Sequence, residues 1–109
     1  MRIALHSVVR PGLEQGYDST HATIPPDLVE SFARVGIHDW SIWRSGDQLF
    51  HLVECDDFEA ALTALDDDPA NIAWQKTIGP FVDHFETTGP GHAGMPVPLV
   101  WRLQEQRGS

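Results

Sequence analysis

Ile37-His38-Asp39-Trp40-Ser41-Ile42-Trp43-Arg44-Ser45-Gly46-Asp47-Gln48-Leu49-Phe50-His51-Leu52-Val53-Glu54 is the stretch that decides the fold. Two runs rich in β-branched and aromatic residues, 37–44 and 48–54, meet across Ser45-Gly46-Asp47, which is the pattern of a β-hairpin. Both alternation classes carry large apolar groups: Ile37 and Trp43 against Trp40 and Ile42, then Leu49 and Val53 against Phe50 and Leu52. A sheet with water on one side is polar at every second position. The second face of this hairpin therefore needs a cover. A second copy of the chain, sheet against sheet, is the simplest one and predicts a two-fold homodimer.

Working outward, residues 2–9 are short, β-branched and apolar, and they stop at Arg10-Pro11-Gly12, so they read as a first strand. Leu13, Tyr17, His21, Ile24, Leu28, Phe32 and Val35 then follow at intervals of three and four, one continuous helical face. Pro25-Pro26 interrupts it. Proline removes a donor and clashes with the preceding turn, so a kink or break falls near Thr23–Pro26, with Pro26 restarting the helix. Gly36 ends it. Beyond the hairpin, Asp56 reads as an N-cap with Glu59 three residues on, opening a short helix that closes at Asp66-Asp67-Asp68. Asp68-Pro69 opens a third helix, whose stripe runs Trp74, Ile78, Phe81, Val82 and Phe85. Residues 87–96 are too rich in Gly and Pro to continue a helix and read as a loop. The alternation of Val97, Leu99, Trp101 and Leu103 predicts a final strand, and 105–109 a frayed tail. The order β-α-β-β-α-(α)-β predicts a single α+β domain over 1–109 on the ferredoxin-like split βαβ plan: a four-stranded antiparallel sheet with its helices on one face.

Composition narrows the partners. The 109 residues hold 7 basic and 16 acidic side chains, a net charge of −9. That is opposite to the footprint selected by nucleic acid or an anionic membrane, so neither is an expected partner. Cys55 stands alone, which excludes an internal disulfide and a multi-thiolate zinc site and points to a reducing cytoplasm. The N-terminus lacks the apolar core of a signal peptide, and nowhere do eighteen apolar residues run together.

The informative anomaly is Tyr17 and His21, polar side chains four apart on a stripe that should face the sheet. A histidine can give or take a proton at neutral pH, and a nearby tyrosine hydroxyl can orient a substrate or the imidazole. The same pair also suits an interfacial core with satisfied hydrogen bonds. Trp74 followed by Gln75 is a second candidate, since an indole stacks on sugar C–H groups and a primary amide both donates to and accepts from hydroxyls. A tryptophan on a helical stripe is more often a core residue than a ligand platform. His6, His38, His51, His84 and His92 show no metal-ligand spacing, so no metal site is expected. Nucleophile elbows, dinucleotide fingerprints and P-loops are absent. Cys55 reads as a small apolar residue leaving the hairpin, and Asp66-Asp67-Asp68 as a solvated helix end and cap.

Tyr17-Asp18-Ser19-Thr20-His21, then Pro26-Asp27-Leu28, Gly36-Ile37-His38-Asp39-Trp40-Ser41-Ile42-Trp43 and Asn71-Ile72-Ala73-Trp74-Gln75 together resemble the L-rhamnose mutarotase family over about residues 2–86. The resemblance implies a dimeric ferredoxin-like enzyme, an isomerase without metal or organic cofactor, that exchanges the α and β anomers of L-rhamnose. It implies His21 as acid/base, Tyr17 as its partner at the sugar, Trp74 as a wall of the pocket and Gln75 as a further substrate contact. Pro25 stands where family members often carry a tryptophan, and Thr20 where a basic residue is common. Both lie beside the site, so L-fucose or another 6-deoxyhexose is also an expected substrate. A cofactor-free monooxygenase on the same dimeric plan and a non-catalytic module that merely holds a small ligand are the alternatives, because this architecture hosts many functions.

Overall fold

The computed structural model describes residues 1–86 and 96–108. Strands β1 (Arg2–Val9), β2 (Ile37–Ser45), β3 (Gln48–Cys55) and β4 (Val82–Phe85) form one antiparallel sheet in the order β2-β3-β1-β4. Helices α1 (Glu14–Thr20) and α2 (Pro26–Arg34) follow β1, α3 (Phe58–Asp66) and α4 (Pro69–Ile78) follow β3, and α5 (Leu103–Arg107) lies near the C-terminus. This is the four-stranded α+β, ferredoxin-like plan read from the sequence. The helical stripe breaks between Thr20 and Pro26, and Pro26 occupies the first turn of α2. The hairpin turns where expected, with Gly46 at φ 59.

Two expectations fail at the C-terminal end, both because of proline. The third helix does not run on to Phe85. Pro80 has no N–H to donate to the helix ladder, so α4 stops at Ile78, the chain tightens into a 3₁₀ turn over Gly79–Phe81, and Val82 adopts an extended conformation (φ −96, ψ 127). Val82–Phe85 then becomes the fourth strand, beside Ser7–Val9. That edge of β1 is thereby occupied at its C-terminal end, Ser7–Val9. The expected strand from Val97 is reduced to a single bridge, Val97 N–H donating to the Ala4 carbonyl at 2.7 Å, and Pro98 cannot extend the pairing. The tail expected to fray forms α5. The expected loop at 87–96 lies, except for Pro96, outside the described residues. A smaller correction concerns α3: Asp57, not Asp56, is its N-cap and accepts from the Ala60 N–H at 3.0 Å. Asp56 instead meets His38 at 2.7 Å.

The helices cover one face of the sheet. Phe58, Ala61 and Leu65 of α3 bury against Leu5, Ile37, Val53 and Cys55, while Tyr17, Leu28, Trp74 and Ile78 of the other helices bury against Val9 and Leu49. Asp68 ties α4 to α2. Its Oδ1 accepts from the Ala70 and Asn71 N–H groups and from the Ser31 hydroxyl, and its other oxygen accepts from Arg34. The opposite face of the sheet carries Trp43 directly opposite Phe50, 57% and 45% exposed, with His6 stacked on Phe50 at 5.0 Å.

Candidate active site

A short α1 brings the first two candidate residues together. Tyr17 and His21 are one turn apart and their rings lie 5.5 Å apart, with His21 at the C-cap, just past the last helical residue. Trp74 arrives from the middle of α4, and its indole meets the His21 ring edge to face at 5.2 Å. The inward stripe read from the sequence is real: Tyr17 and Trp74 are buried and His21 is partly so. All three line a cleft of about 940 Å³ between the helices and the sheet. Gln75 stands on its rim, exposed, with Nε2 donating to Asn71 Oδ1 at 3.4 Å. The cleft mixes apolar walls, such as Ile24, Phe32 and Ile42, with a few polar groups, the usual character of a small-ligand site.

Burial sets the protonation states. The Tyr17 hydroxyl is pushed up to about 12, first by burial and then by the neighbouring Asp18 charge, so it remains a donor throughout the neutral range. Asp18 is itself held below the usual carboxylate range by its hydrogen bonds to Arg44, at 2.8 and 2.6 Å, which also link α1 to β2. Burial lowers the His21 imidazole, partly opposed by a hydrogen bond to its own backbone. His21 is therefore neutral at pH 7, able to accept a proton.

The cleft contains a second polar group that no motif signalled. His51 on β3 is buried, with Nε2 2.8 Å from the Ser7 hydroxyl and Nδ1 accepting from Trp40 Nε1–H at 3.2 Å. Burial, with smaller contributions from His21 and His6, lowers its imidazole to about 4. The signal was present in the hairpin register: His51 shares its alternation class with Leu49 and Val53, both fully buried, so it had to point toward the helices. Among the described residues no group of three or more His, Cys, Asp or Glu side chains could hold a metal ion.

The model of the L-rhamnose mutarotase family matches residues 2–103. The chain belongs to that family. It is thus a mutarotase, an enzyme acting on a sugar, and the match spans the Tyr17-His21 and Trp74-Gln75 segments. An L-rhamnose mutarotase from Formosa agariphila superposes with a TM-score of 0.72 at 17% identity, covering 94% of this chain and 98% of that one. Tetracenomycin F2 cyclase from Streptomyces glaucescens follows with a TM-score of 0.66 at 18% identity, covering 94% and 97%. An unconfirmed antibiotic biosynthesis monooxygenase from Bordetella bronchiseptica reaches 0.58 at 18% identity, covering 74% and 83%. At such identities these likenesses establish a common fold, shared by mutarotase, cyclase and monooxygenase alike. No curated protein matches the chain in sequence.

Proposed function

We propose that this mutarotase acts on L-rhamnose or a closely related 6-deoxyhexose such as L-fucose, bound in the cleft between α1, α4 and the sheet, with His21 as its acid/base. The observation that carries this reading is the convergence of Tyr17, His21 and Trp74 on one cleft wall, with the imidazole kept neutral by burial. Anomer exchange requires the C1 hydroxyl to lose a proton, the bond from C1 to the ring oxygen to break and the ring oxygen to gain a proton. The aldehyde then turns about the C1–C2 bond, and closure on its other face reverses each transfer. In this scheme neutral His21 accepts the C1 hydroxyl proton and returns it on closure, while water exchanges the proton of the ring oxygen.

Tyr17, which stays protonated, donates a hydrogen bond to a sugar oxygen. Trp74 offers its indole to the C–H face, and the exposed Gln75 amide reaches hydroxyls at the rim. One well-placed general acid/base contributes about 10²–10⁴-fold, enough for a reaction that already proceeds in water. The acidic chain suits this substrate: a neutral sugar needs no electrostatic capture. The enzyme is further proposed to work as a homodimer joined through the open sheet face, because Trp43 and Phe50 leave a paired aromatic patch there. Saturation transfer between the two anomer resonances of L-rhamnose, with protein far below the sugar concentration, tests the activity. Faster exchange supports the proposal, and exchange at the buffer rate defeats it.

A further inference from the structure

Trp40, His51 and Ser7 form a hydrogen-bonded chain whose direction is fixed at its first link. An indole N–H can only donate. Because Trp40 Nε1 donates to His51 Nδ1, that nitrogen carries no proton, and a neutral imidazole must then bear its hydrogen on Nε2. Nε2–H in turn donates to the Ser7 oxygen, 2.8 Å away. Ser7 is therefore an acceptor in its one side-chain hydrogen bond among the described residues, and its own hydrogen is left to point elsewhere. Ser7 and His51 both line the cleft, on the sheet side, facing the helices that carry Tyr17, His21 and Trp74. On the same side of the cleft Ile42, Val82 and Phe85 of the sheet supply apolar surface.

We propose that the Ser7 hydroxyl is a substrate-binding donor on the cleft floor, aimed by Trp40 and His51, which receives a lone pair of a sugar oxygen. The proposal deepens the mutarotase reading and rests on it. Each donor in the sequence from indole to imidazole to hydroxyl polarises the next, so the last hydrogen is a better donor than that of an isolated serine. A sugar hydroxyl presented to this floor must act as an acceptor, whereas the exposed rim at Gln75 can meet a donor or an acceptor. His51 here is a positioning residue. Its two nitrogens are both committed, which leaves it no free nitrogen to exchange a proton with the substrate. The arrangement also selects: a sugar that turns a C–H bond toward Ser7 leaves a buried polar hydrogen unpaired.

The test has two parts. ¹⁵N NMR of the histidine rings in the wild-type protein at pH 7 reads the tautomer without any sugar. A neutral His51 protonated on Nε2 is expected, and a cation or an Nδ1–H form overturns the chain's direction. L-rhamnose binding and anomer exchange are then measured for wild type, Ser7→Ala, Trp40→Phe and the double variant. Ser7→Ala is expected to weaken binding and raise KM about 5- to 10-fold, with kcat changed less. Trp40→Phe moves KM the same way by a smaller factor, and the double variant is no worse than Ser7→Ala, because Trp40 acts through Ser7. Multiplying effects, or an unchanged KM in Ser7→Ala beside an active wild type, overturn the floor donor while leaving the mutarotase intact. A wild type that neither binds nor equilibrates L-rhamnose overturns both.

Discussion

His21 and Trp74 meet edge to face, their ring centroids 5.2 Å apart and their planes at 85°. The contact joins the end of α1 to the middle of α4, so the group proposed to move protons is held by the group proposed to wall the sugar. Trp74 serves both core and cleft, and these roles separate by substitution. Trp74→Phe keeps an aromatic ring in the core but shortens the stacking surface. It is expected to leave the chain folded and raise the KM for L-rhamnose several-fold. Trp74→Ala opens a cavity and is expected to cost about 3–5 kcal/mol of stability. Denaturant unfolding and anomer-exchange kinetics on the two variants check both statements.

His51 makes stability depend on pH in a predictable direction. Its imidazole titrates near 6.5 in the unfolded chain and is lowered to about 4 in the folded one. Between those values the unfolded state binds the extra proton, so stability falls as pH falls through this window and levels off below it. At about 1.4 kcal/mol per pH unit, the loss is roughly 3 kcal/mol. His21, lowered by burial, adds to the same trend. Urea unfolding at a series of pH values from 7 to 4 measures the slope. His51→Gln is expected to flatten it, and an unchanged slope in that variant assigns the acid sensitivity to other groups.

Asp68 is a buried carboxylate with both oxygens hydrogen-bonded. Burial resists its charge, but the Ser31 hydroxyl, the Asn71 and Ala70 N–H groups and the Arg34 guanidinium together hold it below its ordinary range. Asp68→Ala removes the cap of α4 and the tie to α2 at once. A loss of about 2–4 kcal/mol is expected, seen as a lower urea midpoint, whereas Asp67→Ala next to it should lie within about 0.5 kcal/mol of wild type.

The paired aromatics on the open sheet face give the dimer its test. Trp43→Ser with Phe50→Ser removes the largest exposed apolar groups of that face without touching the cleft. Sedimentation equilibrium is expected to report a dimer for wild type and a monomer for the double variant. A monomeric wild type contradicts the proposal.

The sequence carried the sheet, the break before Pro26, the caps at Asp68-Pro69 and the inward pair Tyr17 and His21, because each rests on local chemistry that tertiary packing reinforced. It misplaced the fourth strand. Val82 and Phe85 fit a helical stripe and a strand alike, and only Pro80, read as punctuation, separates the two. Leu99 and Trp101 alternate as a strand does, yet they are largely exposed, because alternation cannot reveal that β4 holds the Ser7–Val9 end of that edge of β1 or that pairing from Val97 stops at Pro98. Metal-ligand spacing along the sequence does not single out His51. Its role depends on Ser7 and Trp40, which come from two other strands and meet it only through register.

The most direct measurement of the central claim is the L-rhamnose anomer-exchange rate of wild type against His21→Ala, by saturation-transfer NMR at equal protein concentration near pH 7. Wild type is expected to exceed the buffer rate, and His21→Ala to lose about 10²–10⁴-fold of that acceleration while remaining folded. A variant that equilibrates the anomers as fast as wild type would contradict that claim.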